Sequence, residues 1–121
     1  MTEDKRPWPH EIRLSKDRKR LTVSFDDGAA FGLAAEYLRV LSPSAEVQGH
    51  SRDQRVTVPG KEAVAIAAID PVGNYAVRLT FSDGHNTGIF SWSYLRRLGE
   101  EEEALWREYL DELAAKGLSR G

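Results

Sequence analysis

The stretch Leu21 to Gly28 (LTVSFDDG) occurs a second time, in altered form, as Val77 to Gly84 (VRLTFSDG). In both copies apolar and polar residues alternate with the two-residue period of a half-buried strand, and an Asp-Gly pair then marks a tight turn. A second match follows each turn, since Tyr37 to Leu41 (YLRVL) resembles Tyr94 to Leu98 (YLRRL). The sequence therefore predicts two copies of one unit, a β-hairpin followed by a short helix.

Further strands are predicted on either side of these units. Alternation over Glu11 to Leu14 indicates a strand before the first copy. The segments Arg55 to Val58 and Ala63 to Ile69 are also typical of strands, with a turn at Pro59 to Lys61 between them. The breakers in Asp70 to Gly73 predict that the second of these strands ends there.

Helices are predicted after the second hairpin. Trp92 to Leu98 should be short and end at Gly99, while Glu100 to Lys116 is long and amphipathic. Before all these elements, Met1 to Trp8 is polar and reads as a mobile lead-in. The expected fold is a small single α+β domain with two hairpin-plus-helix repeats, an antiparallel sheet and a C-terminal helix. The apolar face of that helix comprises Leu105, Trp106, Tyr109, Leu110, Leu113 and Ala114.

Composition limits the class of protein. The 121 residues, 40% of them apolar, suit one core, and the absence of cysteine excludes disulfides and thiolate chemistry supplied by this sequence. A net charge of −2 argues against nucleic acid as a partner. No apolar stretch approaches the roughly 20 residues of a membrane span, and Met1 to Pro9 lacks a signal peptide's apolar core. We therefore expect a cytoplasmic protein without membrane contact.

The repeat gives structural roles to its matched residues. Arg39 and Arg96 fall on matching helix positions, where each can bond a turn carboxylate, Asp27 or Asp83. Only the second turn is followed by a histidine, His85. The residues assigned to structure are Asp27, Gly28, Gly84, Arg39, Arg96, Tyr37 and Tyr94.

Catalytic motifs are missing from the sequence. It contains no phosphate-binding loop, dinucleotide fingerprint, zinc-protease helix or serine elbow, and no histidine lies in a recognisable triad context. Ser42 and Ser44 flank Pro43, as in a turn. Imidazole and carboxylate suit zinc or ferrous iron, so His50 and His85 with Glu46 or Asp83 are candidate ligands.

Three strings in order resemble one family: Tyr37 to His50 (YLRVLSPSAEVQGH), Val72 to Val77 (VGNYAV) and Asp83 to Leu95 (DGHNTGIFSWSYL). The family is DUF971, also described as the gamma-butyrobetaine hydroxylase-like N-terminal domain. The resemblance implies a domain over residues 9–99, between the lead-in 1–8 and a C-terminal helix and tail, 100–121. In the hydroxylases the related domain precedes a separate oxygenase barrel, for which 121 residues leave no room, so we expect no enzyme activity.

The resemblance also implies a site. In those hydroxylases three cysteines and a histidine hold a structural zinc; the histidine matches His85, but the cysteine positions fall around Ser42, Ser44 and Val47. Hydroxyl and isopropyl groups cannot replace thiolates, so that zinc site should be absent and no resident cofactor is expected. A shared fold would still bring Glu46 and His50 near His85, either as a hydrogen-bonded brace or as a weak zinc or iron site.

The same domain resembles an appendage of some iron-sulfur carrier ATPases, and this resemblance suggests a partner. Our first hypothesis is an accessory interaction domain of iron-sulfur or iron-enzyme metabolism, with such an ATPase as a candidate partner. The alternatives are a small metal-binding module and, least favoured, an enzyme of unknown chemistry. The expected contact surface comprises Asp83, His85, Asn86, Trp92, Ser42 and Ser44.

Overall fold

The computed structural model describes residues 8–44, 47 and 56–121. Within them the chain forms two three-stranded antiparallel sheets and three helices, which confirms the predicted α+β fold. The first unit comprises β1 (Pro9–Leu14), β2 (Arg20–Phe25), β3 (Ala30–Ala34) and α1 (Ala35–Val40). The second unit comprises β4 (Ile66–Val72), β5 (Ala76–Phe81), β6 (Gly88–Ser91) and α2 (Trp92–Glu100), and α3 (Glu102–Lys116) follows it.

The central strand of each sheet builds the core. β2 lies between β1 and β3, and β5 lies between β4 and β6. Because side chains alternate along a strand, β2 buries Leu21, Val23 and Phe25, and β5 buries its matched positions in the same way. The repeat in the sequence is therefore a repeat of core-forming strands.

Helix α3 packs on its own domain. Tyr109 and Leu113 are buried, and Trp106 packs edge-on against Tyr37 of α1, with ring centroids 6.1 Å apart. The predicted apolar face is too broad, since Leu110 is 37% exposed and Ala114 is also exposed. Gly117 follows the helix with a φ of 66°, a left-handed conformation that suits glycine and ends the helix as predicted.

The predicted strand over Arg55 to Val58 is wrong for residues 56–58, which are irregular; Arg55 lies outside the described residues. These three residues bond to α3 and to Val47 instead of to a strand. Tyr109 donates its hydroxyl to the Val58 carbonyl at 2.5 Å, and the Thr57 hydroxyl donates to Glu112 at 3.1 Å.

Two predicted element ends are also wrong. β4 continues through Asp70 and Pro71 to Val72 and turns at Gly73, because β4 is an edge strand and can accept a proline that lacks an N–H. α2 passes through Gly99 to Glu100. Gly99 serves packing: a Cβ there would lie 2.4 Å from Cγ of Phe31.

None of the helices in the described parts of the chain is long and apolar enough to cross a bilayer.

Candidate functional site

The matched arginines link the two units reciprocally. Arg39 of α1 donates from Nε to Oδ2 of Asp83, in the turn of the second unit, at 2.7 Å. Arg96 of α2 lies 2.9 Å, measured from Nη2, from Oδ2 of Asp27, in the turn of the first unit. Each helix is thus fastened to the hairpin of the other unit, and neither unit is complete alone.

The matched tyrosines repeat this exchange inside the core. The Tyr37 hydroxyl donates to the Leu98 carbonyl at 2.7 Å, and the Tyr94 hydroxyl donates to the Leu41 carbonyl at 2.5 Å. Burial raises the pKa of Tyr37 above its usual range, with a further contribution from the negative charge of Glu102. Tyr37 is therefore a neutral hydrogen-bond donor that holds the end of α2.

The two units differ at one corner, where the third strand of a unit meets the residue that follows Leu41 or its match Leu98 in the other unit. Val23 pairs with Phe31 in the first sheet and Leu79 pairs with Gly88 in the second, so Phe31 and Gly88 occupy matching places. In the first unit Phe31 packs against Gly99, and we call this pair the apolar corner.

In the second unit Gly88 faces Ser42, and His85 lies beside them; these three residues form the polar corner. His85 Nε2 and the Ser42 hydroxyl are 2.9 Å apart, and both residues are buried. The ring of His85 lies 6.1 Å from that of Phe81, much as Phe31 lies 6.2 Å from Phe25. The imidazole and the phenyl ring thus lie at similar distances from the matched rings of Phe81 and Phe25.

Asp83 positions the residues around the polar corner. Its carboxylate accepts hydrogen bonds from Arg39 and from the backbone N–H of His85, and Lys61 Nζ lies 2.6 Å away. Burial alone would raise the pKa of Asp83, but the hydrogen bonds from Lys61, the His85 N–H and Arg39 outweigh it and hold that pKa far below its usual range. Asp83 is therefore ionised and acts as a structural anion.

The polar corner does not fit the zinc site of the related hydroxylases. Ser42 supplies a hydroxyl, 2.9 Å from His85 Nε2, where the resemblance implies a thiolate, and Ser44 and Val47 at the other two implied positions carry no thiolate either. The described residues contain no group of three histidine or carboxylate side chains placed to hold a metal ion. Glu46 and His50, the other ligands considered for a weak site, lie outside the described residues.

The predicted contact surface does not form one exposed patch. Ser42, Ser44 and His85 are buried, so they are wrong as surface residues. Asn86 is exposed, whereas Trp92 is half-buried at the start of α2, with its indole N–H donated to the Asn74 carbonyl at 2.9 Å. A contact surface must therefore be sought elsewhere on the domain.

A groove between α1 and α3, hereafter the α1–α3 groove, encloses about 600 Å³. Trp106 and Leu110 contribute aromatic and apolar surface to it, the buried ring of Tyr37 lies at its base, and Glu102, Glu103, Asp111 and Arg107 contribute charge. The sequence places Trp106 and Leu110 on the apolar face of the C-terminal helix. It does not predict the groove, because the residues of α1 and α3 that line the groove are about 70 positions apart.

One end of the α1–α3 groove holds an ion pair that the sequence analysis missed. Arg120 donates from Nε and Nη2 to the two carboxylate oxygens of Glu36, at 2.9 and 2.8 Å. Glu36 is buried at the start of α1, and the hydrogen bonds to it, together with its negative charge, raise the pKa of Arg120. No local signal in the sequence could have joined these residues, which are 84 positions apart.

These contacts define a class of small α+β domain, in which two hairpin-plus-helix units are joined by reciprocal Arg–Asp and Tyr–carbonyl contacts and covered by a long helix. Residues 12–96 match the family model described as Gamma-butyrobetaine hydroxylase-like, N-terminal. The chain belongs to this family.

Solved structures agree with that assignment. Two solution NMR structures are each 45% identical to the chain. The match to the first covers 94% of this chain and 90% of that chain, with a TM-score of 0.81. The match to the second covers 99% of this chain and 89% of that chain, with a TM-score of 0.82. A crystal structure of a DUF971-family protein of unknown function from Acidithiobacillus ferrooxidans is also 45% identical, covers 80% of this chain and 98% of its own, and has a TM-score of 0.65. No curated protein matches the chain.

Proposed function

We propose that this protein is a non-catalytic interaction domain that binds a basic segment of a partner protein in the α1–α3 groove. The observation that carries the proposal is the groove itself, a concave surface lined by Trp106, Leu110 and several carboxylates. Tryptophan is enriched at the centres of protein interfaces, because it buries a large area and keeps a polar N–H group.

The charges of the groove favour a basic occupant. Arg120 is neutralised by Glu36, so among the described residues that line the groove, Glu102, Glu103 and Asp111 are opposed only by Arg107. Complementary charge raises the rate of encounter and disfavours acidic partners. Leu110, which is 37% exposed, offers the apolar contact that a lysine or arginine stem can cover.

The first partner to test is an iron-sulfur carrier ATPase, because the family resemblance suggests it. This part of the proposal rests on the resemblance alone, while the choice of the groove rests on its shape and charge.

The test begins with a photo-crosslinking amino acid at Leu110 and, as a matched control, at Ile89 on the second sheet, which is 40% exposed. Crosslinks from position 110 to one partner, at a basic segment, are expected, whereas position 89 should give none to that protein. The partner is then purified and its affinity is measured by calorimetry.

Matched substitutions complete the test. Leu110→Arg places a positive charge in the groove and should weaken binding at least tenfold, and Ile89→Arg should leave the affinity unchanged. Equal affinity of both variants, or crosslinks from position 110 to acidic segments only, would overturn the proposal.

A further inference from the structure

Arg120 is bound as a ligand would be. Its guanidinium makes the paired, fork-like hydrogen bonds to Glu36 that arginine makes with carboxylates, and its Cζ lies 5.4 Å from the centre of the Trp106 ring. A lysine could supply neither the two parallel bonds nor the planar stacking surface. The site formed by Glu36 and Trp106 therefore has the chemistry of arginine recognition.

Residues 117–121, which carry Arg120, are called the docked segment. Besides the pair with Glu36, Arg120 Nη2 lies 3.7 Å from a carboxylate oxygen of Glu62, and backbone hydrogen bonds hold the segment. Gly60 and Glu62 donate their backbone N–H groups to the carbonyls of Ser119 and Arg120, at 2.9 and 3.0 Å. These bonds do not depend on side-chain identity. Leu118, the large apolar residue of the segment, is 39% exposed and adds little anchoring by burial.

The burial of Glu36 determines what can replace Arg120. The Glu36 side chain is 8% exposed, and a carboxylate left unpaired at that depth is strongly unfavourable. Release of the docked segment is therefore favourable only when another cation takes the same place. The fork of two oxygens beside an indole ring selects a second guanidinium.

We propose that Glu36 and Trp106 form an arginine-binding site, which the docked segment fills and which an arginine of the partner's basic segment takes over. This inference rests on the proposed function and specifies the residue that the groove recognises. The docked segment then acts as an internal competitor, so its removal should strengthen binding of an arginine in trans.

The experiment uses the full chain with Arg120→Ala and a blocked peptide with the sequence of residues 117–121. A matched peptide carries citrulline, which has the shape of arginine without its charge. Calorimetry and the indole N–H signal of Trp106 should show that the arginine peptide binds the variant at least tenfold more tightly than the wild type. The citrulline peptide should not bind, and Glu36→Gln in the variant should abolish binding.

Equal binding of the arginine peptide to wild type and variant, equal binding of the two peptides, or no binding at roughly 10 mM peptide would overturn the inference. If Arg120→Ala unfolds the chain, the melting temperature becomes the measurement: the arginine peptide should raise it, and an unchanged melting temperature would count against the site.

The two proposals fail differently. A partner whose binding is lost in Leu110→Arg, while the arginine peptide does not bind Arg120→Ala, refutes the arginine site and leaves the interaction function in place. If the arginine peptide binds Arg120→Ala but no partner is crosslinked from position 110, the interaction function is refuted and the arginine site is retained.

Discussion

The apolar corner and the polar corner occupy matching places in the two units, yet they are filled by opposite chemistry. In the first, the ring of Phe31 lies against Gly99; in the second, Gly88 leaves room for Ser42 and the imidazole of His85. The reciprocal Arg–Asp and Tyr–carbonyl contacts are common to both units. The contacts that join the two units therefore do not require a polar corner. The buried imidazole and hydroxyl distinguish the second unit from the first.

Adding a methyl group at the glycines of the two corners should have the largest effect. A Cβ at Gly99 would lie 2.4 Å from the ring of Phe31, and one at Gly88 would lie 2.2 Å from Oγ of Ser42. Gly99→Ala and Gly88→Ala should each lower the free energy of unfolding by about 3 kcal/mol, the upper end of ordinary overpacking costs. Urea denaturation measures the change.

A second substitution checks the cause of that loss. Because the clash at Gly99 is with a phenyl ring, Phe31→Leu should restore part of the stability that Gly99→Ala loses and should not help Gly88→Ala. Additive losses in both double variants would contradict our account of the corners.

The two arginine–aspartate contacts should differ in strength. The Asp83 side chain is 19% exposed, whereas that of Asp27 is 57% exposed. Asp83→Asn should lower the free energy of unfolding by about 2 to 3 kcal/mol, because Arg39 and Lys61 lose a shielded anion. Asp27→Asn, measured by the same denaturation, should cost less, since water screens its pair. Equal losses would show that the two contacts are equivalent.

Removing the imidazole should have a smaller effect. His85→Ala should lower the free energy of unfolding by about 1 to 2 kcal/mol, because the hydrogen bond to Ser42 and the contact with the Phe81 ring are lost. The neighbouring exposed residue gives a matched control, and Asn86→Ala should change the value by less than about 0.5 kcal/mol.

The same pair of variants separates a brace from a metal site. For a brace, zinc, ferrous iron and chelators leave the stability of the wild type unchanged. Stabilisation of the wild type by micromolar metal that disappears in His85→Ala would instead favour the weak metal site considered with Glu46 and His50.

Mild acid should have the smallest effect. The pKa of Asp83 is lower in the folded chain than its ordinary value of 3.8, so its contribution is complete above about pH 5 and is lost as the pH falls through 3.8 towards the folded pKa. Melting temperatures at pH 7 and about pH 4 should therefore differ slightly, and Asp83→Asn should reduce that difference. A larger acid sensitivity in Asp83→Asn would contradict the sign of the shift.

The sequence predicts the two units well because their information is local. Alternation in Leu21 to Phe25 and Tyr75 to Phe81, followed by Asp-Gly turns, specifies strands and hairpins without reference to the rest of the chain. The prediction is wrong where the surrounding structure overrides local preference. Pro71 is accepted because β4 is an edge strand, and Gly99 stays helical because Phe31 needs the space beside it.

The site is predicted less well, for a physical reason. The turn position of His85 suggests an exposed residue, but the imidazole is buried 2.9 Å from the Ser42 hydroxyl, which lies where a side chain at Gly88 would clash. The pair of Glu36 and Arg120 depends on how α3 lies across α1, and neither charge pattern nor periodicity encodes that geometry. The sequence did predict the matched positions of Arg39 and Arg96 on their helices, because the repeat places both arginines at the same position of the motif.

The reciprocal contacts between units also bear on how the chain folds. They join residues 44 to 69 positions apart, so each unit completes its contacts only with the other unit. Contacts of such long sequence separation require loops to close before they stabilise anything, so folding should be slow for a domain of this size. It should also be all-or-none, with amide hydrogens of β2 and β5 exchanging through one shared opening event.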